Sequence, residues 1–349
     1  MSKNTFDNLK NDTVPCAHPE KSVKIAILEG ESLGVDMTFD PFFDLGEVII
    51  YPTTSADEMP QRIKNADIVV ANKLPMCEKT LRDAENLKLI CLTATGINNL
   101  DGAYLKERGI KACNVAGYST SVVAQHTFAL LFYIWEKLSF YDQYVKSGDY
   151  SRSQGFSCFS ELFYELDGKT WGIIGMGAIG QKVAKIASAF GCRVICYSAS
   201  GKNYDFSGSE EAALRQCQQV DFDTLLAETD VLSIHAPLNE YTENLMNLDA
   251  FGKMKKSAVM INVARGPIVN QEDLYTALSE DMIAGAALDV LKVEPMAADN
   301  PLLKIQDSKK LLITPHMAWG AVETRFRCRD EVVKNIQAFL AGEDRNRVY

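Results

Sequence analysis

The segment WGIIGMGAIG, residues 171–180, joins a short apolar run to a turn that contains three glycines. Glycines at the Gly-x-Gly-x-x-Gly spacing occur often by chance, so the spacing alone says little. Here a β-rich run precedes the turn, and apolar residues then recur at helical spacing until Gly191 ends the helix. A second β-rich run follows at 193–197. The sequence therefore predicts a complete βαβ unit around the turn.

Each glycine has a separate task in such a unit. Gly175 permits the tight turn, Gly177 lets a pyrophosphate approach the backbone, and Gly180 lets the helix pack closely on the strand. The first amides of the helix are unpaired, and the helix dipole favours an anion beside them. The alternative is a structural turn that binds no ligand. We predict a dinucleotide-binding site.

The end of the second strand bears on the choice of dinucleotide. A carboxylate there binds the adenosine ribose and repels a 2′-phosphate, but this chain has Ser198 at that place. Ser198, Ser200 and Lys202 can together accept a phosphate, which favours NADP(H) slightly over NAD(H). A hydroxyl also binds the ribose of NAD(H), and the alternative for Lys202 is an exposed loop lysine.

Outside this unit, β-rich runs alternate with helical patterns, which is typical of parallel α/β domains. The first series predicts five strands, at 23–28, 47–51, 67–71, 89–92 and 110–113. The second series predicts six, at 170–174, 193–197, 231–235, 258–263, 284–290 and 311–314. Helices are expected, among others, over 56–64, 101–108, 323–340 and, capped by Ser119, up to about residue 138. The fold class is α/β, with two parallel-sheet domains and crossings near 114–119 and 317–321.

Composition excludes several classes of function. The 349 residues suffice for two domains, and the net charge of −10 opposes binding to nucleic acid or to an anionic membrane surface. The longest apolar run, 128–135, is far shorter than the ~20 residues that span a bilayer. Residues 1–22 are polar, lack a signal-peptide pattern and are expected to form a loose extension. Nine cysteines without a Cys-x-x-Cys pair indicate reduced thiols in a cytoplasmic protein.

The four histidines are the candidate proton donors, because hydride transfer to a ketone requires one. His18 lies in the polar leader, and His126 lies in an apolar helix where a satisfied core or interface histidine is expected. His235 ends a strand and is placed to line the cofactor cleft. His316 follows the last strand, at the edge where such sheets bind ligands, and we predict it as the acid/base. The four form no metal-ligand cluster, so no metal is expected.

Two other strand ends carry matching chemistry. Arg265 presents a planar guanidinium suited to a carboxylate. Glu294 can pair with His316 and orient the imidazole, and Asp289 can accept a hydrogen bond from a nicotinamide carboxamide. Singly, each of these residues has the alternative of a surface salt bridge. In the first series, the amides of Thr95 and Gly96 can form an anion-binding nest or a plain turn.

Taken together, these residues resemble the D-isomer-specific 2-hydroxyacid dehydrogenase family. The resemblance covers nearly the whole chain after the leader, and Arg265 and Glu294 have the spacing of that family. The matching motifs are Ala-Thr-Gly near residue 95, Asn-Val-Ala-Gly-Tyr-Ser at 114–119, Gly-Met-Gly-Ala-Ile-Gly at 175–180, His-Ala-Pro-Leu at 235–238, Ala-Arg-Gly at 264–266, Ala-Ala-Leu-Asp-Val at 286–290, Glu-Pro at 294–295 and Thr-Pro-His at 314–316. Pro-His-Met-Ala-Trp at 315–319 and Asn72-Lys73 are most similar to the glycerate dehydrogenase or hydroxypyruvate reductase branch.

The resemblance implies an architecture. A Rossmann dinucleotide-binding domain (118–319) is inserted in a flavodoxin-like substrate domain (23–117 and 320–349), and the enzyme is a homodimer built largely through the cofactor domains. Two departures from the family pattern stand out. Ser198 replaces the common acidic residue, and Pro267 stands where a second glycine is frequent.

The resemblance also implies roles for single residues. Arg265 is the substrate anchor, His316 the acid/base and Glu294 its partner, while Asn72, Thr95 and Gly96 contact the substrate. Further positions match cofactor contacts of the family: Thr127, Ala178, Ile179, Val263 and Asp289. His235, Pro237 and Ala264 are also predicted to bind the cofactor.

The implied activity is NAD(P)-dependent reduction of a small 2-oxoacid, hydroxypyruvate or glyoxylate, to the D-2-hydroxyacid. One alternative is a D-lactate- or aryl-lactate-type dehydrogenase. An alternative of another class is a dinucleotide-responsive scaffold like the family's corepressor relatives, which keep the same catalytic groups. The acidic charge balance and the lack of a basic tail favour the enzyme.

Overall fold

A computed structural model describes residues 23–349 of the chain. The extension expected over 1–22, with His18, lies outside the described residues. The described chain divides into two compact units. The first unit runs up to Tyr118 and resumes over Gly320–Tyr349, and the second unit is Ser119–Trp319.

The first unit is built on a five-stranded parallel sheet with the strand order β2-β1-β3-β4-β5. Its strands are β1 (Lys24–Ile27), β2 (Glu47–Ile50), β3 (Ile68–Ala71), β4 (Leu89–Leu92) and β5 (Lys111–Cys113). The central strands β3 and β4 are buried throughout, which explains their unbroken apolar sequence. The helices of this part are α1 (Asp40–Phe43), α2 (Met59–Ile63), α3 (Glu78–Leu81) and α4 (Gly102–Glu107).

The second unit is built on a seven-stranded parallel sheet. Its strands are β6 (Thr170–Ile174), β7 (Arg193–Tyr197), β8 (Gln218–Gln219), β9 (Val231–Ile234), β10 (Val259–Asn262), β11 (Gly285–Leu288) and β12 (Leu311–Ile313). They lie in the order β12-β11-β10-β9-β6-β7-β8. The prediction of six strands was one short, because β8 has only two residues, both glutamine, and therefore shows no apolar pattern.

Helices complete both units. Those of the second unit are α5 (Thr120–Trp135), α6 (Leu138–Lys146), α7 (Asp149–Arg152), α8 (Ala178–Ala189), α9 (Ala212–Arg215), α10 (Phe222–Glu228), α11 (Leu248–Lys253) and α12 (Gln271–Ser279). The last helix, α13 (Val322–Leu340), belongs to the first unit. No helix within residues 23–349 is both long and apolar enough to cross a membrane.

The structure corrects three predicted helix boundaries. Ser119 precedes α5, but its side chain makes no capping hydrogen bond. The same helix ends at Trp135, short of the predicted 138, because Lys137 adopts a left-handed backbone with φ 55°. Helix α2 begins only at Met59, since Pro60 lacks an amide proton and favours the first turn of a helix.

The prediction of an α/β fold with two parallel sheets is confirmed. In the second unit, all strands point the same way, so the segments that follow β6, β9, β10, β11 and β12 leave the sheet at one edge. In parallel sheets, ligands bind beyond this carboxyl edge. The candidate site is therefore built from these segments.

Candidate active site

The glycine-rich turn leads from β6 into α8 as predicted. Gly175 has φ 91°, and a Cβ atom on Gly180 would lie 2.2 Å from the carbonyl oxygen of Gly175. Both positions therefore require glycine, for conformation and for close packing. A Cβ atom on Gly177 would meet no atom within 4 Å, so open space lies beside this residue.

The amino end of α8 can bind an anion. No acceptor in the described chain takes the amide protons of Ala178, Ile179 and Gly180. Unpaired amides at the amino terminus of a twelve-residue helix attract negative charge. Together with the open space beside Gly177, they fit the pyrophosphate of a dinucleotide.

The predicted phosphate-accepting residues follow β7. Ser198 is buried, and its Oγ lies 3.4 Å from Oγ of Ser200. Lys202 is exposed, and its Nζ lies 5.8 Å from the centre of the Tyr204 ring, with no carboxylate paired to it in the described chain. Both hydroxyls and a free ammonium group are thus present on one short segment.

Two residues that sequence reasoning missed hold this segment. The side-chain amide of Gln219 accepts from the Tyr204 amide (2.8 Å) and donates to the Lys202 carbonyl (3.0 Å). The Tyr204 hydroxyl accepts from the amide of Met176, inside the glycine-rich turn, at 3.2 Å. Gln219 lies in the short strand β8, and no sequence pattern indicates that it pairs with a loop fifteen residues earlier.

His235 follows β9 and its ring is buried. Burial lowers the pKa of this imidazole to about 3, so the ring is neutral. Its Nε2 lies 3.0 Å from Oγ of Ser233, which also accepts a hydrogen bond from the Trp171 indole at 2.9 Å. Its Nδ1 is buried without a partner in the described chain. Such an orphaned polar atom at the carboxyl edge fits a ligand that supplies the missing hydrogen bond, and Pro237 lies exposed two residues on.

Arg265 follows β10 in a loop organised by Asn262. The Asn262 side chain donates to the Arg265 carbonyl (2.9 Å) and accepts from the Ala264 amide (3.0 Å). The guanidinium donates to the Ala264 carbonyl at 2.7 Å and pairs with no carboxylate of the described chain. Val263 and Ala264 are nearly buried. The geometry leaves the guanidinium available to an anion, and Asn262 is a third residue that sequence reasoning missed.

His316 and Glu294 form the predicted pair. Nδ1 of His316 lies 2.7 Å from Oε2 of Glu294, and the other carboxylate oxygen accepts from the Leu291 amide at 2.9 Å. A carboxylate only accepts, so Nδ1 carries a proton. Nε2 of His316 has no partner in residues 23–349 and is therefore free to exchange a proton.

Asp289 forms hydrogen bonds to the turn that carries His316. It is 1% exposed, and its carboxylate accepts from the Thr314 hydroxyl (2.6 Å) and from the amides of Met317 (2.9 Å) and Ala318 (2.9 Å). These bonds tie the end of β11 to the turn that carries His316. The predicted contact with a nicotinamide carboxamide stays a prediction.

Thr127, a predicted cofactor contact, lies inside α5, and that contact stays a prediction. Thr127 is fully buried in α5, and its hydroxyl donates to the Val123 carbonyl one turn earlier, at 2.8 Å. The neighbouring His126 is the residue of this helix that faces the strand ends, with Nε2 3.1 Å from the Thr314 hydroxyl.

The predicted substrate residues of the first unit follow β3 and β4. No acceptor in the described chain takes the amide protons of Thr95 and Gly96, as an anion-binding nest requires. Asn72 is buried, and its backbone amide donates to the Glu29 carboxylate at 2.6 Å. The substrate contacts of all three residues stay predictions.

The arrangement can hold an anion and transfer a proton. An unpaired guanidinium, a carboxylate–imidazole pair and an orphaned histidine nitrogen follow β9 to β12, which are hydrogen-bonded neighbours in the sheet. Within the described residues, no group of three or more His, Cys, Asp and Glu side chains is placed to bind a metal ion.

Comparison with known proteins gives this arrangement a context. Residues 128–318, more than half of the chain, match the family model described as D-isomer specific 2-hydroxyacid dehydrogenase, NAD binding domain. The chain is 37% identical over 328 residues to a hydroxypyruvate reductase of Blautia hydrogenotrophica, which covers 93% of this chain and 99% of that protein. It is 35% identical to a glycerate dehydrogenase of Methylorubrum extorquens, over 93% and 98% of the two chains.

A solved structure is similar as well. D-lactate dehydrogenase from Aquifex aeolicus, complexed with NAD and lactic acid, superimposes with a TM-score of 0.79 at 29% identity. The match covers 91% of this chain and 96% of that one. These findings confirm the predicted family resemblance, the Rossmann dinucleotide-binding domain and a nicotinamide dinucleotide as the cofactor.

Gly177 and Gly180 allow a matched test of pyrophosphate binding at the glycine-rich turn. We expect Gly177→Ala to change the free energy of unfolding by less than about 0.5 kcal/mol but to weaken dinucleotide binding about tenfold or more, since the methyl group fills the space that a pyrophosphate needs. Gly180→Ala, whose Cβ meets a backbone oxygen, is expected to lower the free energy of unfolding by about 1–3 kcal/mol. Urea denaturation and titration of nicotinamide fluorescence measure the two effects. Unchanged dinucleotide affinity in Gly177→Ala would contradict pyrophosphate binding beside this residue.

Proposed function

Because this chain belongs to the D-isomer specific 2-hydroxyacid dehydrogenase family, an oxidoreductase family, we propose that it reduces hydroxypyruvate or glyoxylate to the D-2-hydroxyacid with NAD(P)H. The observation that carries the proposal is the His316–Glu294 pair, with a 2.7 Å hydrogen bond and an unpartnered Nε2, two strands away from the unpaired guanidinium of Arg265. The names of the two relatives indicate the substrate class.

Arg265 and His316 have complementary roles in the proposed reaction. A bound nicotinamide cofactor supplies the hydride that the carbonyl carbon of the 2-oxoacid accepts. Arg265 binds the substrate carboxylate through its planar fork, which fixes the orientation of the adjacent carbonyl. His316 donates the proton on Nε2 to the carbonyl oxygen as negative charge develops there, so that the ketone becomes an alcohol.

Glu294 supports the imidazole through this proton transfer. The carboxylate holds the proton on Nδ1 and thereby keeps Nε2 as the reacting nitrogen in both charge states of the ring. The Leu291 amide fixes the carboxylate in turn. In the oxidative direction the same pair accepts the proton, because each step is reversible.

Turnover of four 2-oxoacids tests the proposal. We expect cofactor oxidation with hydroxypyruvate and glyoxylate at higher kcat/KM than with pyruvate or phenylpyruvate. His316→Ala is expected to lower kcat by about 100-fold or more at neutral pH, because the proton donor is lost, while dinucleotide binding measured by fluorescence stays unchanged.

Each other outcome has a distinct meaning. A preference for pyruvate or phenylpyruvate would indicate a D-lactate- or aryl-lactate-type dehydrogenase, an assignment that the structural similarity to D-lactate dehydrogenase would then support. The absence of turnover with every 2-oxoacid, alongside tight dinucleotide binding, would favour a scaffold. Full activity of His316→Ala would remove His316 from the mechanism.

We propose NADP(H) as the preferred cofactor, on the basis of Ser198, Ser200 and the unpaired Lys202. The wild-type enzyme is expected to show a higher kcat/KM with NADPH than with NADH. Lys202→Ala is expected to lower the value for NADPH about tenfold, the loss of one charge-assisted hydrogen bond, and to leave NADH within about twofold. Lys64→Ala, an exposed lysine of the first unit, is the control. Preference for NADH in the wild type would contradict the proposal.

We also propose a homodimer formed through the second unit. The segment from 150 to 164 exposes an unusual number of large apolar side chains, with Phe156 93% and Phe159 84% exposed. The others are Tyr150, Leu162, Phe163 and Tyr164. Contiguous exposed apolar surface of this kind marks an interface, and a second copy of the chain satisfies it symmetrically.

Oligomeric state after substitution tests the dimer. Light scattering behind size exclusion is expected to give twice the chain mass for the wild type and a single chain mass for the double variant Phe156→Ser, Phe159→Ser, since both side chains lose their apolar contact area. Val35→Ser, which alters a 64% exposed apolar residue of the first unit, should stay dimeric. A monomeric wild type would refute the proposal.

The cysteines support a proposed cytoplasmic location. All eight within residues 23–349 are free thiols, and five of them are buried. Burial raises the pKa of the Cys328 thiol to about 12, so this thiol stays protonated and unreactive. Free buried thiols suit a reducing compartment.

A further inference from the structure

His126 is a polar residue of the apolar helix α5 to which the proposed reaction assigns no role. Its side chain is 16% exposed, and Nε2 lies 3.1 Å from the Thr314 hydroxyl and 3.6 Å from Oδ1 of Asp289. Asp289 and Thr314 are the two residues that hold the turn carrying His316. The imidazole therefore contacts both side chains that support the acid/base.

The hydrogen-bond pattern fixes where the protons lie. Thr314 has one hydroxyl proton, and at 2.6 Å from a carboxylate it donates that proton to Asp289. Its oxygen must then accept from His126, so Nε2 of His126 carries a proton. Burial lowers the pKa of His126 against the opposing effect of the Asp289 charge, which favours the neutral ring with the proton on Nε2.

The chain of bonds continues into the His316 turn. The Asp289 carboxylate accepts from the amides of Met317 and Ala318, and its carbonyl accepts from the amide of His316 at 2.8 Å. His316 has φ 52°, in the left-handed region that a side chain with Cβ seldom adopts. Such a conformation persists only where its surroundings hold it. Here Asp289 holds the amide of His316 itself and the amides of the two residues that follow it.

We propose that His126 is a positioning residue for the acid/base: its Nε2–H directs the Thr314 hydroxyl onto Asp289, and the carboxylate thereby holds the turn in which His316 meets Glu294. The inference rests on the role of His316 in the proposed function. His126 does not touch the reacting atoms, and its effect passes through two hydrogen bonds and a backbone turn.

Two substitutions at His126 separate the effect of the hydrogen-bond donor from the effect of the side-chain volume. The amide nitrogen of glutamine reaches the place of Nε2, so His126→Gln keeps a donor, whereas His126→Leu keeps apolar volume without one. We expect kcat of His126→Gln within about twofold of the wild type and kcat of His126→Leu about tenfold lower, with the KM for cofactor and 2-oxoacid little changed. Equal losses in both variants, or full activity in His126→Leu, would overturn the proposal.

An isotope effect distinguishes positioning from a partly unfolded preparation. With cofactor deuterated at the nicotinamide C4, misplacement of the acid/base slows the chemical step, so the primary isotope effect on kcat of His126→Leu is expected to rise. A smaller fraction of folded enzyme lowers kcat and leaves the isotope effect unchanged, and that result would overturn the proposal.

A double-mutant cycle tests the path through Thr314. Thr314→Val removes the hydroxyl and Thr314→Ser retains it, so only the first is expected to lower kcat. Combined with His126→Leu, Thr314→Val should add less than about a further twofold, because both act on one chain of bonds. Multiplicative losses would show independent effects and refute the shared path. His316→Ala in the same assay distinguishes failure of this proposal from failure of the proposed function, because full activity of that variant would contradict the proposed function itself.

Discussion

Pairing of three neighbouring parallel strands is the constraint on which the site depends. Asn262 of β10 is aligned with Leu288 of β11, which is aligned with Ile313 of β12. These residues form one row across the sheet, with strands about 4.8 Å apart. The residues that follow them therefore leave the sheet at one level and side by side. Arg265, Glu294 and His316 are reached from this row, although 29 and 22 residues separate them along the chain.

The aligned ends of these strands also explain why the site needs the buried carboxylate of Asp289. A loop after a parallel strand leaves backbone amides without sheet partners, and the turn after β12 leaves those of Met317 and Ala318. The Asp289 carboxylate satisfies both, at 2.9 Å each, and is itself satisfied by them. Hydrogen bonds to a charged group contribute about 1.5–3 kcal/mol each, more than typical neutral ones. Loss of any one partner would leave part of a buried charge unpaired, so the turn is held as a unit.

The sequence predicted those features that are encoded locally. Strands β3 and β4 are unbroken apolar runs. In the turn from β6 to α8, Gly175 has a positive φ and Gly180 lies close to the Gly175 carbonyl, five residues earlier. Features that depend on distant partners were missed. The two residues of β8 form a strand only because β7 lies beside them.

Within the site, the residues predicted as reactive differ in physical character from two residues that position them. Arg265, Glu294 and His316 are partly exposed, and each is charged or titratable. Side chains of this kind that follow a strand can be identified from the sequence by their chemical type alone. Asn262 and Asp289 are buried at the strand ends, and each forms hydrogen bonds to the backbone beside a reacting group. A buried polar side chain is tolerated only when its hydrogen bonds are satisfied. The partners in those hydrogen bonds come together only when the chain folds. The division is physical: reactivity is a property of single residue types, whereas positioning is a property of contacts that exist only after folding.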